Sequence, residues 1–274
     1  MYSESKREQL KEFAKNIRIQ TLEQLASRGF GHLGGAMSMV EILTVLYGDE
    51  MKHDPKNSKW EERDRLVCSK GHGGPSVYAA LALCGYFPVD ELKTLNQPHT
   101  NLPSHCDMLK TNGIDITTGS LGQGLSVASG VAYALKMKGL NSRVFCIVGD
   151  GELQEGQNWE AIMNTAHKKI DNVVLFVDQN HMQLDGEVKN VNDISDIGAK
   201  LSAFNWNVVD VADGHDVDAI KNAITQAKEC KGRPTAIICN TLKGKGVVWA
   251  ETEWNHHVEV SREAADQAIA VLNS

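Results

Sequence analysis

The sequence has no apolar run long enough to cross a membrane, for which about 20 consecutive residues are needed. Its first 15 residues are charged and amphipathic, and they lack the apolar core of a secretory signal peptide. We therefore expect a cytoplasmic protein that does not insert into membranes.

The sequence also lacks an excess of basic residues. Lysine and arginine number 28 against 35 aspartates and glutamates, which gives a formal net charge of −7. Without a basic stripe, a nucleic-acid binder is disfavoured. Anionic small substrates remain compatible, because a local site can be basic on an acidic protein.

The six cysteines form no CxxC pair, and most lie in apolar runs, which is typical of buried, reduced thiols in a cytosolic enzyme. Cys106 differs, because it lies in a polar segment beside His105. A nucleophilic Cys/His pair must therefore be considered. It is disfavoured, since side chains adjacent in sequence rarely point at each other.

We find no internal repeat, no low-complexity tract and no linker rich in Pro, Gly or Ser. A chain of 274 residues can bury a substantial core. The sequence therefore predicts one domain over residues 1–274.

Short apolar runs alternate with helical patterns along much of the chain. Predicted helices include residues 10–26, followed by Gly29 as a stop, and one that Ser38 caps with Glu41 three residues later. The remaining predicted helices are 75–83, 125–138, 159–168 and 217–229. The predicted strands are 65–69, 144–148, 173–177, 208–211 and 235–239. This alternation indicates an α/β fold with a mostly parallel sheet covered by helices on both faces.

Polar residues follow two consecutive predicted strands. Gly149-Asp150-Gly151 comes directly after the strand 144–148, and Asn180 follows the next strand. Ligands of parallel sheets bind at the carboxyl ends of the strands. Carboxylate, amide and carbonyl oxygens suit Mg²⁺ beside phosphate oxygens. Two unrelated turns are the alternative explanation for this pair.

A glycine-rich segment, residues 117–124, precedes the predicted helix 125–138. Backbone N–H groups of glycines at a helix N-terminus form an anion-binding cradle. A flexible loop with a tight helix contact is the plainer alternative.

Four histidines lie in polar segments that are unusual for packing residues: His32, His72, His105 and His256. Metal binding competes as an explanation, but no HxH or HxxxH pair supports it. Histidines that converge on one cleft suit proton transfer and the binding of a polyhydroxylated substrate.

In combination, these motifs resemble one family. GDG with an asparagine after the next strand is the thiamine diphosphate motif. Over roughly residues 10–260 the chain resembles the N-terminal domain of transketolase, in the segments GHLGGAMSMVEIL, CSKGHGGPSVYAALALCGY, DITTGSLGQGLSVASGVAYA and GDGELQEGQNWEA. The KGKG run at 243–246 is most similar to split transketolases, in which this domain is a separate polypeptide.

The resemblance implies a thiamine diphosphate-binding fold and a set of site residues. Asp150, Asn180 and the Met182 carbonyl would hold Mg²⁺, or Ca²⁺ or Mn²⁺ in its place. The residues that would contact thiamine diphosphate are His72, Gly119, Ser120, Leu121, Asp150, Gly151, Glu155 and Asn180.

The resemblance also implies catalytic residues. His32 and His105 would bind sugar hydroxyls and move protons, and His72 would lie near the diphosphate and the substrate. The family's Trp-His-Gly is replaced here by Trp254-Asn255-His256-His257, so either His256 or His257 would act, with His256 preferred. Glu155 and Glu160 match acidic positions that lie at the family's subunit interface.

The implied reaction is transfer of a two-carbon ketol unit from an anionic ketose to an aldose. The glutamate that activates the cofactor belongs to a pyrimidine-binding domain for which this chain has no remaining length. We therefore expect a partner subunit with the pyrimidine-binding and C-terminal domains, and two copies of each chain. The alternatives are another thiamine enzyme, such as a deoxyxylulose phosphate synthase-like protein, and a non-catalytic cofactor-binding subunit.

Overall fold

A computed structural model describes residues 1–252 and 255–274 of the chain. Within these residues the strands are β1 (Phe30–Gly31), β2 (Arg65–Cys68), β3 (Val144–Gly149), β4 (Val173–Gln179), β5 (Asn207–Val211), β6 (Thr235–Asn240) and β7 (Val258–Glu259). The strands β2 to β6 form a parallel sheet in the order β2-β3-β4-β6-β5, and β1 pairs with β7 in a small antiparallel sheet. The predicted parallel α/β fold is confirmed.

Helices alternate with these strands. They are α1 (Glu4–Arg28), α2 (Gly34–Met37), α3 (Val40–Val45), α4 (Gly74–Leu83), α5 (Gly124–Met137), α6 (Gly156–His167), α7 (Val188–Val191), α8 (Ile197–Ala203), α9 (Val217–Glu229), α10 (Val248–Thr252) and α11 (Arg262–Leu272). Shorter turns of 3₁₀-helix cover Pro55–Asn57, Gly71–Gly73, Val89–Thr94 and Gly151–Gln154, and a π-helical turn covers Leu46–Glu50.

The sheet buries both of its faces because successive side chains of its apolar strands point to opposite sides. Phe145 of β3 and Phe176 of β4 pack with buried residues of α1, α3, α4 and α9. Cys146 and Leu175 lie on the other face, with buried residues of α5, α6 and α8. This two-sided core explains why the strands are apolar throughout instead of alternating.

The first helix is longer than predicted at its start. Ser3 caps it by accepting a hydrogen bond from the Lys6 N–H at 3.2 Å. The predicted stop is confirmed, since Gly29 ends the helix with a φ of 89°, a left-handed conformation that glycine adopts without strain.

The predicted helix cap at Ser38 is wrong. Helix α3 begins at Val40, and no side chain accepts a hydrogen bond at its start. The Ser38 hydroxyl instead donates to the Asp178 carboxylate at 2.6 Å. A buried carboxylate at the end of β4 is a stronger acceptor for this hydroxyl than a local turn.

The small sheet was missed by sequence reasoning, because strands of two residues carry no periodic pattern. Phe30 pairs with Glu259, and Gly31 pairs with Val258. This pairing joins His32, just after β1, to the segment that carries His256 and His257, just before β7. Among the described residues, no helix is both long and apolar enough to span a membrane.

We expect Leu175→Ala to destabilise the fold by about 2–5 kcal/mol, because it leaves a cavity in the centre of β4, where Leu175 is fully buried. Leu109→Ala is the matched control, since Leu109 is 89% exposed and its loss should change stability by less than about 0.5 kcal/mol. Urea unfolding of both variants measures the difference. Equal midpoints would contradict the assigned core.

Candidate active site

A cavity of about 210 Å³ opens at the carboxyl ends of β2, β3 and β4. Predicted site residues that line it are His72, Leu121, Asp150, Gly151, Glu155, Asn180, Met182 and His256. Parallel strands bring their carboxyl ends to one edge of a sheet, which is why residues so far apart in sequence meet there.

Asp150 follows the end of β3 and is almost completely buried. Its carboxylate accepts hydrogen bonds from the Gly151 N–H at 2.9 Å and from the His181 N–H at 2.7 Å. Burial, together with the nearby Asp178 carboxylate, raises the pKa of Asp150 to about 6. A cation beside this carboxylate would oppose both effects.

Asn180 follows β4, and β4 is the neighbour of β3 in the sheet. Gly149 and Asp178 are paired across these two strands, so Asp150 and Asn180 leave the sheet side by side. The Asn180 amide donates to Asp178 at 3.1 Å, and its oxygen accepts from the Met182 N–H at 3.2 Å. These contacts fix which end of the amide carries the oxygen.

A buried ion pair at the floor of the cavity was not predicted: Lys70 lines the cavity, and its partner is Asp178. Lys70 and Asp178 are 1% and 0% exposed, and the Lys70 ammonium donates to the Asp178 carboxylate. Lys70 also donates to the Gly35 carbonyl at 2.7 Å. Burial opposes the charge on Asp178. The Lys70 ammonium and hydrogen bonds from the Ser38 and Thr241 hydroxyls nevertheless hold the pKa of Asp178 below its ordinary value.

Glu152 connects three loops of the site. Its carboxylate accepts from the Gly122 N–H at 3.0 Å, from the Gly149 N–H at 3.1 Å and from the Ser69 hydroxyl. The Ser69 oxygen in turn accepts from the Gly124 N–H at 3.1 Å, at the start of α5. Burial raises the pKa of Glu152, and these donors oppose that shift. Its position directly after the GDG run was the available signal.

The glycine-rich loop approaches the His72 loop closely. A Cβ atom on Gly71 would lie 2.8 Å from the Gly119 nitrogen, so only glycine fits there. Gly119 has a φ of 141°, and a Cβ on it would lie 3.2 Å from the His105 ring. Leu121 of the same loop lines the cavity, whereas Gly119 and Ser120 are not among its lining residues.

The predicted histidines converge. The ring centre of His32 lies 5.6 Å from that of His72, 5.4 Å from that of His105 and 5.4 Å from that of His256. His257 is closer still to His32, at 4.7 Å, while His72 and His256 are 4.9 Å apart. Both C-terminal histidines thus belong to this cluster, but His256 lines the cavity and His257 does not. Trp254, of the same run, lies outside the described residues.

Burial in this cluster lowers the pKa values of His32, His72, His105 and His256. Burial, reinforced by His257 and His256, lowers the pKa of His32 to about 3. Burial, reinforced by Lys243, lowers the pKa of His256 to about 4. Neutral imidazoles can both donate and accept hydrogen bonds, which suits recognition of hydroxyl groups.

Lys243 also lines the cavity and was named only as part of the KGKG run. Its ammonium lies 3.4 Å from the His256 Nδ1 atom. Burial and the nearby Lys70 lower the pKa of Lys243 to about 8. An anionic group bound in the cavity would therefore lie close to the Lys243 ammonium.

Glu160 and Cys106 do not line this cavity. Glu160 lies in a separate groove between α5 and α6, whereas Glu155 lines the cavity. Cys106 is buried, and burial raises the pKa of its thiol to about 12, so it is not an activated nucleophile. All six cysteines are free.

Residues 9–269 match the family of thiamine diphosphate-binding domains of transketolase. The chain therefore belongs to that family, which confirms the resemblance carried by its sequence motifs.

Its relatives include proteins named as transketolase subunits. The chain is 49% identical to the 6-deoxy-6-sulfo-D-fructose transketolase subunit SqwG of Clostridium sp. (strain MSTE9), over 94% of each chain. It is 38% identical to an apulose-4-phosphate transketolase subunit of Actinobacillus succinogenes, over 92% of this chain and 91% of the relative.

Solved structures agree with this family. The transketolase of Leishmania mexicana matches 96% of this chain with a TM-score of 0.92 and 29% identity. The transketolase of Campylobacter jejuni matches 96% with a TM-score of 0.90 and 31% identity. The chain covers 41% and 42% of those two proteins, so it spans about two fifths of their length.

The histidine cluster predicts a pH dependence of stability. The pKa values of His32 and His256 in the folded chain, about 3 and about 4, lie below the ordinary value of 6.5. Between the folded-state pKa values and 6.5, the unfolded chain binds more protons than the folded chain does. The stability present above pH 6.5 should therefore be lost as the pH falls.

His32→Asn should therefore flatten the fall in unfolding free energy between about pH 6.5 and 4, because one of the lowered pKa values is removed. Urea titrations across that range measure the slope, with the exposed His167→Asn as control. Parallel curves for wild type and His32→Asn would show that His32 does not titrate in this way.

Proposed function

We propose that this chain is one Mg²⁺- and thiamine diphosphate-binding domain, and that it forms the pyrophosphate-side subunit of a two-chain transketolase. The enzyme would transfer a two-carbon ketol unit from an anionic ketose to an aldose. The observation that carries the proposal is one cavity lined by Asp150, Asn180, His72 and His256 at the carboxyl edge of the sheet.

The donor set fits the metal. Asp150 supplies a carboxylate, Asn180 an amide oxygen and Met182 a backbone carbonyl, and these are the hard oxygen ligands that Mg²⁺ prefers. In the described part of the chain no three residues of His, Cys, Asp and Glu form a metal site. A metal held by one carboxylate would leave coordination positions for diphosphate oxygens, which is the usual arrangement for Mg²⁺.

The cavity also suits a diphosphate group. Lys243 lines it, and Gly151 and Leu121 border it from the GDG segment and the glycine-rich loop. Together with the metal, the Lys243 ammonium would offset the negative charge of the diphosphate. Bound anions would in turn raise the pKa values of His72 and His256, because a nearby negative charge favours their protonated forms.

The histidines are assigned to the sugar. When bound, thiamine diphosphate supplies the electron sink for cleavage of the ketose C2–C3 bond. His32 and His105 are proposed to bind sugar hydroxyls, and His72 and His256 to hold or move protons beside the cofactor and the substrate. The short separations of the four rings allow a proton to pass between them through hydroxyls or water.

The donor is proposed to be an anionic ketose. One relative is named for 6-deoxy-6-sulfo-D-fructose and another for apulose 4-phosphate, so both names contain a sugar with an anionic terminal group. The sulfonated sugar is the first donor to test, since that relative is 49% identical over nearly the whole chain.

A partner subunit is proposed on two grounds. Two relatives covered over more than nine tenths of their length are named as subunits. Leu121 and Leu184 also line the cavity with exposed apolar side chains, and such patches mark protein interfaces. We propose a partner with the pyrimidine-binding and C-terminal domains, in an assembly with two copies of each chain.

Six free cysteines support a reducing compartment such as the cytoplasm.

Asp150→Ala should weaken Mg²⁺-dependent binding of thiamine diphosphate by more than about 100-fold, because loss of a metal ligand exceeds the 10–100-fold cost of losing an outer partner. Calorimetry with and without EDTA measures the change. Asp90→Ala is the matched control, since the Asp90 side chain is 90% exposed. Wild-type affinity in Asp150→Ala would remove Asp150 from the metal site.

The isolated chain should be inactive at saturating Mg²⁺ and cofactor, because the cofactor-activating glutamate is expected on the partner. Ketol transfer should appear only with a second chain that carries the pyrimidine-binding domain. A donor screen should include 6-deoxy-6-sulfofructose, apulose 4-phosphate and an ordinary pentulose phosphate. Turnover by the chain alone would refute the two-chain assignment, and no turnover with any ketose would refute the reaction.

A further inference from the structure

A buried polar cluster lies outside the cavity and joins three distant parts of the chain. Arg18 of α1 donates to both carboxylate oxygens of Glu41 of α3, at 2.7 and 2.9 Å. His215, two residues before α9, contacts the same carboxylate through Nδ1 at 2.8 Å. The Arg18 and Glu41 side chains are 7% and 9% exposed, and that of His215 is 13% exposed.

The cluster holds one backbone segment on both sides of Lys243. The Leu242 N–H donates to His215 Nε2 at 2.9 Å. Arg18 Nε donates to the Lys245 carbonyl at 2.9 Å. Because Nε2 of His215 is an acceptor, its proton lies on Nδ1 and is donated to Glu41. The Glu41 carboxylate therefore orients both groups that grip the segment.

Close packing reinforces this grip. Gly246 has a φ of 87°, and a Cβ atom there would lie 2.7 Å from Arg18 Cδ and Nε. The Gly244 N–H donates to the Gly34 carbonyl at 3.1 Å. The segment therefore follows one path across the cluster, and that path directs the Lys243 side chain into the cavity.

We propose that Glu41, through Arg18 and His215, is a positioning residue that presents the Lys243 ammonium to the diphosphate group. The inference rests on the proposed function for the identity of that ligand. A buried ion pair adds little net stability over apolar residues of similar volume. A cluster that fixes the path of a ligand-facing lysine has a use that stability alone does not explain, because small displacements of binding groups are costly.

A double-mutant cycle separates this role from a merely structural one. His215→Phe removes the acceptor for the Leu242 N–H and keeps an aromatic ring. Lys243→Met removes the ammonium and keeps the chain length. Calorimetry measures the binding of inorganic pyrophosphate with Mg²⁺ to the purified chain, so that no turnover is needed. The matched control is His167→Phe, at the exposed end of α6.

We expect Lys243→Met to weaken pyrophosphate binding by about 10-fold or more, in the range measured for hydrogen bonds to charged groups. His215→Phe should weaken it by a similar factor when Lys243 is present and have little further effect in Lys243→Met. Equal losses in both backgrounds, or no loss in Lys243→Met, would overturn the proposal. If His215→Phe fails to fold, Glu41→Gln takes its place in the double-mutant cycle.

Amide hydrogen exchange of residues 242–246 tests the grip without any ligand. Exchange should be faster in His215→Phe than in His167→Phe, because the Leu242 N–H loses its acceptor. Unchanged protection would overturn the positioning role even if pyrophosphate binds. If the wild type binds neither pyrophosphate nor thiamine diphosphate, the proposed function fails. Faster exchange would then still support the role of the cluster in holding the segment.

Discussion

The ion pair between Lys70 and Asp178 is the interaction on which the arrangement of the cavity depends. Asp178 accepts from Lys70 after β2, from Ser38 between α2 and α3, and from Thr241 after β6. It also accepts from Asn180, two residues along the chain. A single carboxylate at the end of β4 thus joins four segments that supply the floor of the site. Because both charges are buried, removing either partner alone would leave an uncompensated charge, which is strongly destabilising.

The parallel sheet was predictable because a strand buried on both faces must be apolar along its whole length. The same reasoning placed Asp150 and Asn180 at one edge, since ends of neighbouring parallel strands meet. The histidines were recognisable from their polar, glycine-flanked settings. By contrast, Lys70 and Asp178 look like ordinary surface residues in sequence, and only the three-dimensional structure reveals that each cancels the charge of the other. Ser38 misled for the same reason, because its acceptor lies far away in sequence.

Electrostatically, the site combines groups of different kinds. Both Lys70 and Lys243 line the cavity, but Lys70 is compensated by Asp178, whereas Lys243 lies beside His256. The histidines have lowered pKa values, and Asp150 has a raised one. These shifts share one cause, since burial disfavours every charged form. A bound metal ion would favour the charged form of Asp150, and a bound anionic ligand would favour the charged forms of the histidines. Binding of the metal ion and of the anion should therefore support each other.

The pairing of β1 with β7 has a consequence for how the site is made during synthesis. Gly31 and Val258 are paired although they lie near opposite ends of the chain. Closing so long a loop is slow, because its entropy must be lost before any contact repays it. The sheet edge that carries Asp150 and Asn180 has no such requirement, whereas His32 meets His256 only once the last strand is in place. A ribosome-bound chain would therefore hold a finished sheet edge before it holds a finished histidine cluster.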